Sequence, residues 1–209
     1  MHARLSVLVF LLIGLTACGR TASVEIRDFQ ADDLHEFPAI SGKYAGWLQS
    51  GGWNLTAEST GKTCRRWRFE TNLNPSHERV IRQILKDSVE EMVFVSHALS
   101  AEEMLEGGFD AQIFVYQTNA SSTFRARYAV WEFLHHTVDA SVELSSIVAV
   151  TDKDGLSYQK ILTGRGIEHV DVPACENVGS VMKEASVGAV RHLGKTIGLY
   201  LQEGIGNRQ

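Results

Sequence analysis

The chain has 209 residues, of which 44% are hydrophobic and 22% charged, and its formal net charge is −5. That length suits one domain with a real core, and the mild acidity offers no electrostatic basis for binding nucleic acid. No stretch reaches the roughly 20 apolar residues that a membrane-spanning helix needs.

The N-terminus carries the most specific signal. Met1 to Arg4 is positive, Leu5 to Leu15 is apolar apart from Ser6 and Gly14, and Leu15-Thr16-Ala17-Cys18 is followed by Gly19. A positive start, a short apolar run and small residues before a cut mark a secretory signal. The terminal cysteine is the pattern of a bacterial lipoprotein: cleavage before Cys18, which then carries the lipid. The alternative is an ordinary signal in which Cys18 is incidental. Two or more acyl chains anchor a protein stably where one does not. Aspartate is absent after the cysteine, which points to the outer membrane, with the domain facing the periplasm. Loss of Arg4 with the leader takes the net charge from −5 to −6. The expected organisation is residues 1–17 as signal peptide, 18–42 as a lipidated tether and 43–209 as a single domain.

Within that domain, Lys43 to Gln49 reads as a core strand bounded by Gly42 and Gly51-Gly52, and Trp53 to Ala57 as a short strand or loop. Residues 65–71 alternate Arg65, Trp67 and Phe69 with Arg66, Arg68 and Glu70. Asn74 is placed to cap a helix, with Pro75 in its first turn. Its apolar stripe runs Val80, Ile81, Ile84, Leu85, Val89, Met92 and Val93, with extended chain as the alternative for Val93 to Val95. Ser100 and Glu103 have capping-box spacing for a short helix. Strands are expected at Ala111–Thr118, Thr123–Trp131, Ser141–Thr151 and Leu156–Ile167, with Asp152-Lys153-Asp154-Gly155 as a hairpin turn. A second long helix spans Asn177 to Gln202, with Val178, Met182, Ala185, Ala189, Leu193, Ile197 and Leu201 on its stripe. The sum is an α+β fold: an antiparallel sheet of about four to five strands, with two long helices packed on one face, in the order strand, helix, strands, helix.

If Cys18 takes lipid, Cys64 and Cys175 remain in an oxidising compartment and pair naturally as a disulfide. The loop they close is about 110 residues, worth roughly 4–5 kcal/mol in the chain-entropy description. The alternative is two separate buried thiols.

No motif names a reaction. Ser59-Thr60-Gly61-Lys62-Thr63 resembles the end of a phosphate-binding loop, but Thr56 stands where the first glycine belongs and no helix follows, so it reads as a turn. His135-His136 is a poor chelate because adjacent strand residues face opposite ways. His77-Glu78 lacks the second histidine of a zinc-protease motif, since Ile81 stands there. Histidines on surface loops are the default reading. Trp47, Trp53, Trp67 and Trp131 read as core rather than as a sugar platform. No catalytic residue, metal ligand, cofactor or nucleotide site is expected, and any ligand-binding residues are unknown.

The run Tyr44 to Leu48, Thr63-Cys64 with Trp67 and Phe69, the helix from His77 to Val93, and Cys175 followed by a small-residue helix resemble small Gram-negative outer-membrane lipoproteins, with a core similar to that of the lipopolysaccharide-assembly lipoprotein. The resemblance covers residues 43 to 202 and implies binding rather than catalysis. The expectation is therefore a non-enzymatic accessory, scaffold or binding component of an envelope complex. It would be attached to the membrane through its lipid and to an envelope protein partner. An envelope lipid or lipopolysaccharide binder and a hydrolase of an envelope polymer are the alternatives.

Overall fold

The computed structural model describes residues 19–24, 26, 38–49, 52–128 and 136–205. Eight strands form one mixed sheet: β1 (Arg20–Val24), β2 (Ile40–Gln49), β3 (Asn54–Ser59), β4 (Trp67–Asn72), β5 (Val89–Phe94), β6 (Ala111–Tyr128), β7 (His136–Asp152) and β8 (Ser157–Val172). The helices are α1 (Asn74–Ser88), α2 (Ala101–Glu106) and α3 (Val178–Gly204). Six strands run in the spatial order β1-β4-β3-β6-β2-β5, and β7 and then β8 continue from β6.

This corrects the expected antiparallel sheet of four to five strands with two long helices. Four pairings are parallel: β1 with β4, β2 with β5, β2 with β6, and β3 with β6. Only α3, at 27 residues, is long; α1 has 15. The helix read through Val93 stops at Ser88 because Val89 to Phe94 leaves as β5, beside β2. Its apolar residues happen to continue the helical spacing. The two strands expected at 111–118 and 123–131 are parts of one 18-residue strand, β6, interrupted by a bulge between Gln117 and Asn119 rather than by a turn. Such a bulge bends a strand without ending its pairing. The segment expected as a tether begins inside the sheet, since Arg20 to Val24 pairs residue for residue with Trp67 to Thr71.

Local signals hold where the chemistry is local. The Ser100 hydroxyl accepts the Glu103 N–H at 3.2 Å, and the Glu103 carboxylate accepts the Ser100 N–H at 2.7 Å. At the β7–β8 turn, the Asp152 carboxylate accepts the N–H groups of Asp154 and Leu156 at 3.0 and 2.8 Å, and Gly155 takes the positive φ of 80°. Asn74 is not the cap of α1. Its side chain accepts the Trp53 N–H, and Asn72 accepts the Asn74 N–H instead.

The core lies between the sheet and α3, which crosses β8 and β7. Phe69, Phe124, Leu144, Met182, Leu193 and Ile197 are fully buried there. Close approach rests on the strand's glycines as much as on the helix's. A Cβ at Gly164 would collide with Ala189 O and Leu193 N, and one at Gly166 with Ala185 O. On its other side α3 meets α1, where Gly194 faces Ile84 and Val80.

Candidate functional site: a basic concavity beside the N-terminus

Ser59 to Arg66 is the segment that the phosphate-loop likeness drew attention to, and it is a turn. Ser59 Oγ accepts the Gly61 N–H at 3.3 Å and donates to Thr63 O at 2.9 Å, while the Thr60 N–H bonds Phe124 O at 2.8 Å. Thr63 bridges antiparallel to Ala126. Cys64 follows with a φ of 56°, a region that non-glycine residues seldom occupy. The Trp67 N–H closes the turn on Cys64 O at 2.9 Å, and β4 starts.

That tight reversal aims Cys64 inward, where it joins Cys175 in a disulfide with Cα atoms 5.5 Å apart. The bridge ties the β3–β4 turn to the single 3-10 turn Cys175–Asn177 that leads into α3. His136 brings a ring nitrogen within 4.8 Å of both sulfurs. Its Nδ1 is buried and makes no hydrogen bond among the described residues. Bonded to each other, the sulfurs present no thiolate to a metal, so His136 here is a histidine packed on a disulfide.

The same bridge between Thr63 and Ala126 collects cations from distant parts of the chain. Lys62 and Arg65 from the turn, with Arg125 and Arg127 from β6, line an open concavity of about 600 Å³ that Thr60 and Tyr128 complete. All four cations are exposed. Arg127 pairs with Asp139 at 2.9 Å. Asp139 also takes His169 Nδ1 at 2.6 Å, and that hydrogen bond, with help from Arg127, holds its carboxyl below the usual range. Arg68, further along the turn's exit, pairs with Glu58 at 3.0 Å. Lys62, Arg65, Arg66 and Arg125 make no ion pair among the described residues.

The first described residues arrive at this spot. The Arg20 N–H donates to Arg66 O at 2.8 Å, and the Arg20 guanidinium lies 5.4 Å over the Trp67 ring. Cys18 lies outside the described residues, and so do Trp131 and His135. Cys64 and Cys175 are brought together. The basic group was missed by reading the sequence. Its signal was present in part, because Lys62, Arg65, Arg66 and Arg68 fall within seven residues of an acidic chain that has no acid among them.

Elsewhere, His77 departs from the surface-loop expectation. It is 4% exposed on α1, its Nδ1 lies 2.8 Å from Gln117 Nε2, and its ring centroid is 4.2 Å from that of Trp53. Burial lowers its pKa to about 3, so it is neutral. Trp53 is core, as expected, while Trp47 is half-buried against Phe114 and Tyr116, with ring centroids 5.6 and 5.5 Å away. Between the sheet and the end of α3, near Tyr44, Val150 and Ile205, the cavity is about 130 Å³. Small-molecule sites are usually some 300 Å³ or more. Among the described residues, no helix is long and apolar enough to cross a membrane.

No protein-family model matches the sequence, and no curated protein sequence does. In structure the chain is similar to a DUF330 protein of Xanthomonas campestris, at 9% identity and a TM-score of 0.47, covering 91% of this chain and 99% of that one. It is also similar to a minor lipoprotein of Acinetobacter baumannii, at 9% identity and 0.44, covering 82% and 96%. A third is the uncharacterised lipoprotein B of Nitrosomonas europaea, at 11% and 0.40, covering 88% and 96%. The second and third of these are described as lipoproteins. The narrower resemblance to the lipopolysaccharide-assembly lipoprotein gains no support from them.

Proposed function

We propose that this chain is a lipid-anchored, non-enzymatic protein of the Gram-negative envelope. It is held at the outer membrane by acyl chains on Cys18, faces the periplasm and serves as an accessory or binding component of an envelope complex. The observation that carries the reading is the Leu15-Thr16-Ala17-Cys18 signal ending directly before a residue pair that the domain holds in place. The Arg20 N–H bonds Arg66 O, and β1 continues into the sheet beside β4. A lipid on Cys18 would sit at the surface of the domain.

The histidine–carboxylate pair His169–Asp139 lends little to the hydrolase alternative. Both groups stand on neighbouring strands in an ion-pair network with Arg127.

Radiolabelled palmitate with membrane fractionation tests the anchor. Wild type is expected to label and to sediment with outer membranes, and Cys18→Ser to lose the label. Continued labelling of Cys18→Ser would remove the site. Mild crosslinking in intact envelopes tests the accessory role, and a protein that stays monomeric and partnerless there counts against it.

A further inference from the structure

We infer that the basic concavity at the Thr60–Arg127 end is a docking face for the anionic phospholipid surface of the membrane that carries the anchor. The inference rests on the lipid-anchor reading above and gives it an orientation.

Consecutive Cα atoms are about 3.8 Å apart, so a lipidated Cys18 stands next to Gly19, whose own neighbour Arg20 is bonded to Arg66. Arg65, the next residue back, is a wall of the concavity. There is no slack chain between lipid and domain at this point. Acyl chains entering the bilayer therefore bring this end to the headgroup layer.

Arg20, Lys62, Arg65, Arg66 and Arg125 are exposed and make no ion pair among the described residues. Of the acids beside them, Glu58 is engaged by Arg68 and Asp139 by Arg127 and His169. Asp171, which accepts the Thr137 hydroxyl across β7 from Arg127, and Glu176, on the turn beyond the disulfide, are exposed and make no ion pair among the described residues. Guanidinium groups match phosphate oxygens in a planar fork, and a concavity of about 600 Å³ admits a headgroup phosphate between Arg65 and Arg125. Tyr128, 69% exposed at the rim, has the amphipathic ring that suits the membrane–water interface.

The far end of the hairpin carries Asp110, Asp152 and Asp154, and the chain as a whole is acidic. The domain thus carries unpaired arginines and Lys62 at the concavity and an acidic cluster at the opposite end. With the concavity facing an anionic membrane, the domain is attracted to it.

The test uses the lipidated full chain reconstituted in vesicles of phosphatidylcholine, alone or mixed with phosphatidylglycerol. Amide hydrogen exchange at residues 60–66 and 125–128 is expected to slow only in the mixed vesicles and to recover in high salt, as screening requires. The triple variant Lys62→Gln/Arg65→Gln/Arg125→Gln is expected to lose that protection, while Lys153→Gln at the far end keeps it. Equal exchange in both vesicle types overturns docking and leaves the anchor standing. If mass spectrometry instead shows no acyl group, the anchor reading fails, and sedimentation of the unacylated chain with the same vesicles still decides docking. There each neutralised cation is expected to reduce binding about 5-fold, or on the order of 100-fold for the triple variant. Equal binding of wild type and variant overturns the inference. Unchanged circular dichroism of the variant excludes misfolding as the cause.

Discussion

The two ends of the long β6–β7–β8 hairpin treat charge in opposite ways. Strands of 16 to 18 residues separate them, roughly 50 Å at the rise of a strand. At the β7–β8 turn, charged groups are used by the fold itself. Asp152 closes the turn, Asp110 Oδ2 accepts the Lys43 N–H at 3.0 Å, Lys153 lies 4.0 Å from Asp110, and Lys43 pairs with Glu91 at 3.6 Å. At the N-terminal end a disulfide closes the structure, and the surrounding cations are left facing outward. Of those cations Arg127 still pairs with Asp139, while Lys62, Arg65, Arg66 and Arg125 make no ion pair among the described residues.

The largest test of that contrast removes the bridge. Cys64→Ser/Cys175→Ser is expected to lower stability by about 4 kcal/mol, measured by denaturant unfolding. Hydrogen exchange should rise first around residues 60–66 and 174–180. A loss spread evenly to the β7–β8 turn would mean that the two ends are not closed independently.

Between the ends, His77 sets a pH dependence that belongs to neither. Its folded pKa of about 3 lies below the ordinary histidine value of 6.5, so the unfolded chain binds the extra proton. Stability is unaffected by this group above about pH 7 and falls as pH drops from 6.5 towards 3, by up to about 1.4 kcal/mol per unit. The loss levels off below that. His77→Gln should flatten this slope in urea titrations across that range, and an unchanged slope would assign it to other groups.

At the far end, Asp152→Ala removes two side-chain hydrogen bonds from the turn and is expected to cost about 1 kcal/mol, read as a shift in unfolding midpoint. At the N-terminal end, Arg65→Gln/Arg125→Gln should change stability by no more than about 0.5 kcal/mol, as for ordinary surface sites. A large loss there would show that these cations hold the fold together and would erase the contrast.

How much of this was legible depended on range along the chain. The Ser100 box, the Asp152–Gly155 turn and the α3 stripe were readable because each is decided by residues within a turn or two of one another. The end of α1 was not, because Val89, Met92 and Val93 keep the helical spacing while the pairing partner that makes them a strand, Ile40 to Gly46, lies more than forty residues away. Asn119 to Ser122 looked like a break between strands, yet β7 pairs straight through it. Half of the basic site was visible as Lys62 to Arg68. The other half, Arg125 and Arg127, could be joined to it only by the Thr63–Ala126 bridge.

By itself the sequence determined the pairing of Cys64 with Cys175, the major helix and the β7–β8 turn. The helix and the turn follow from short-range chemistry, helical period and side-chain capping, and the disulfide from there being few cysteines to pair. Only the tertiary structure decided that the sheet is mixed, that β1 is part of it, and that Gly19 and Arg20 lie beside a cluster of outward-facing cations. Parallel pairing and charge clustering are contacts between residues far apart in the chain. No local pattern specifies which strand will lie beside which.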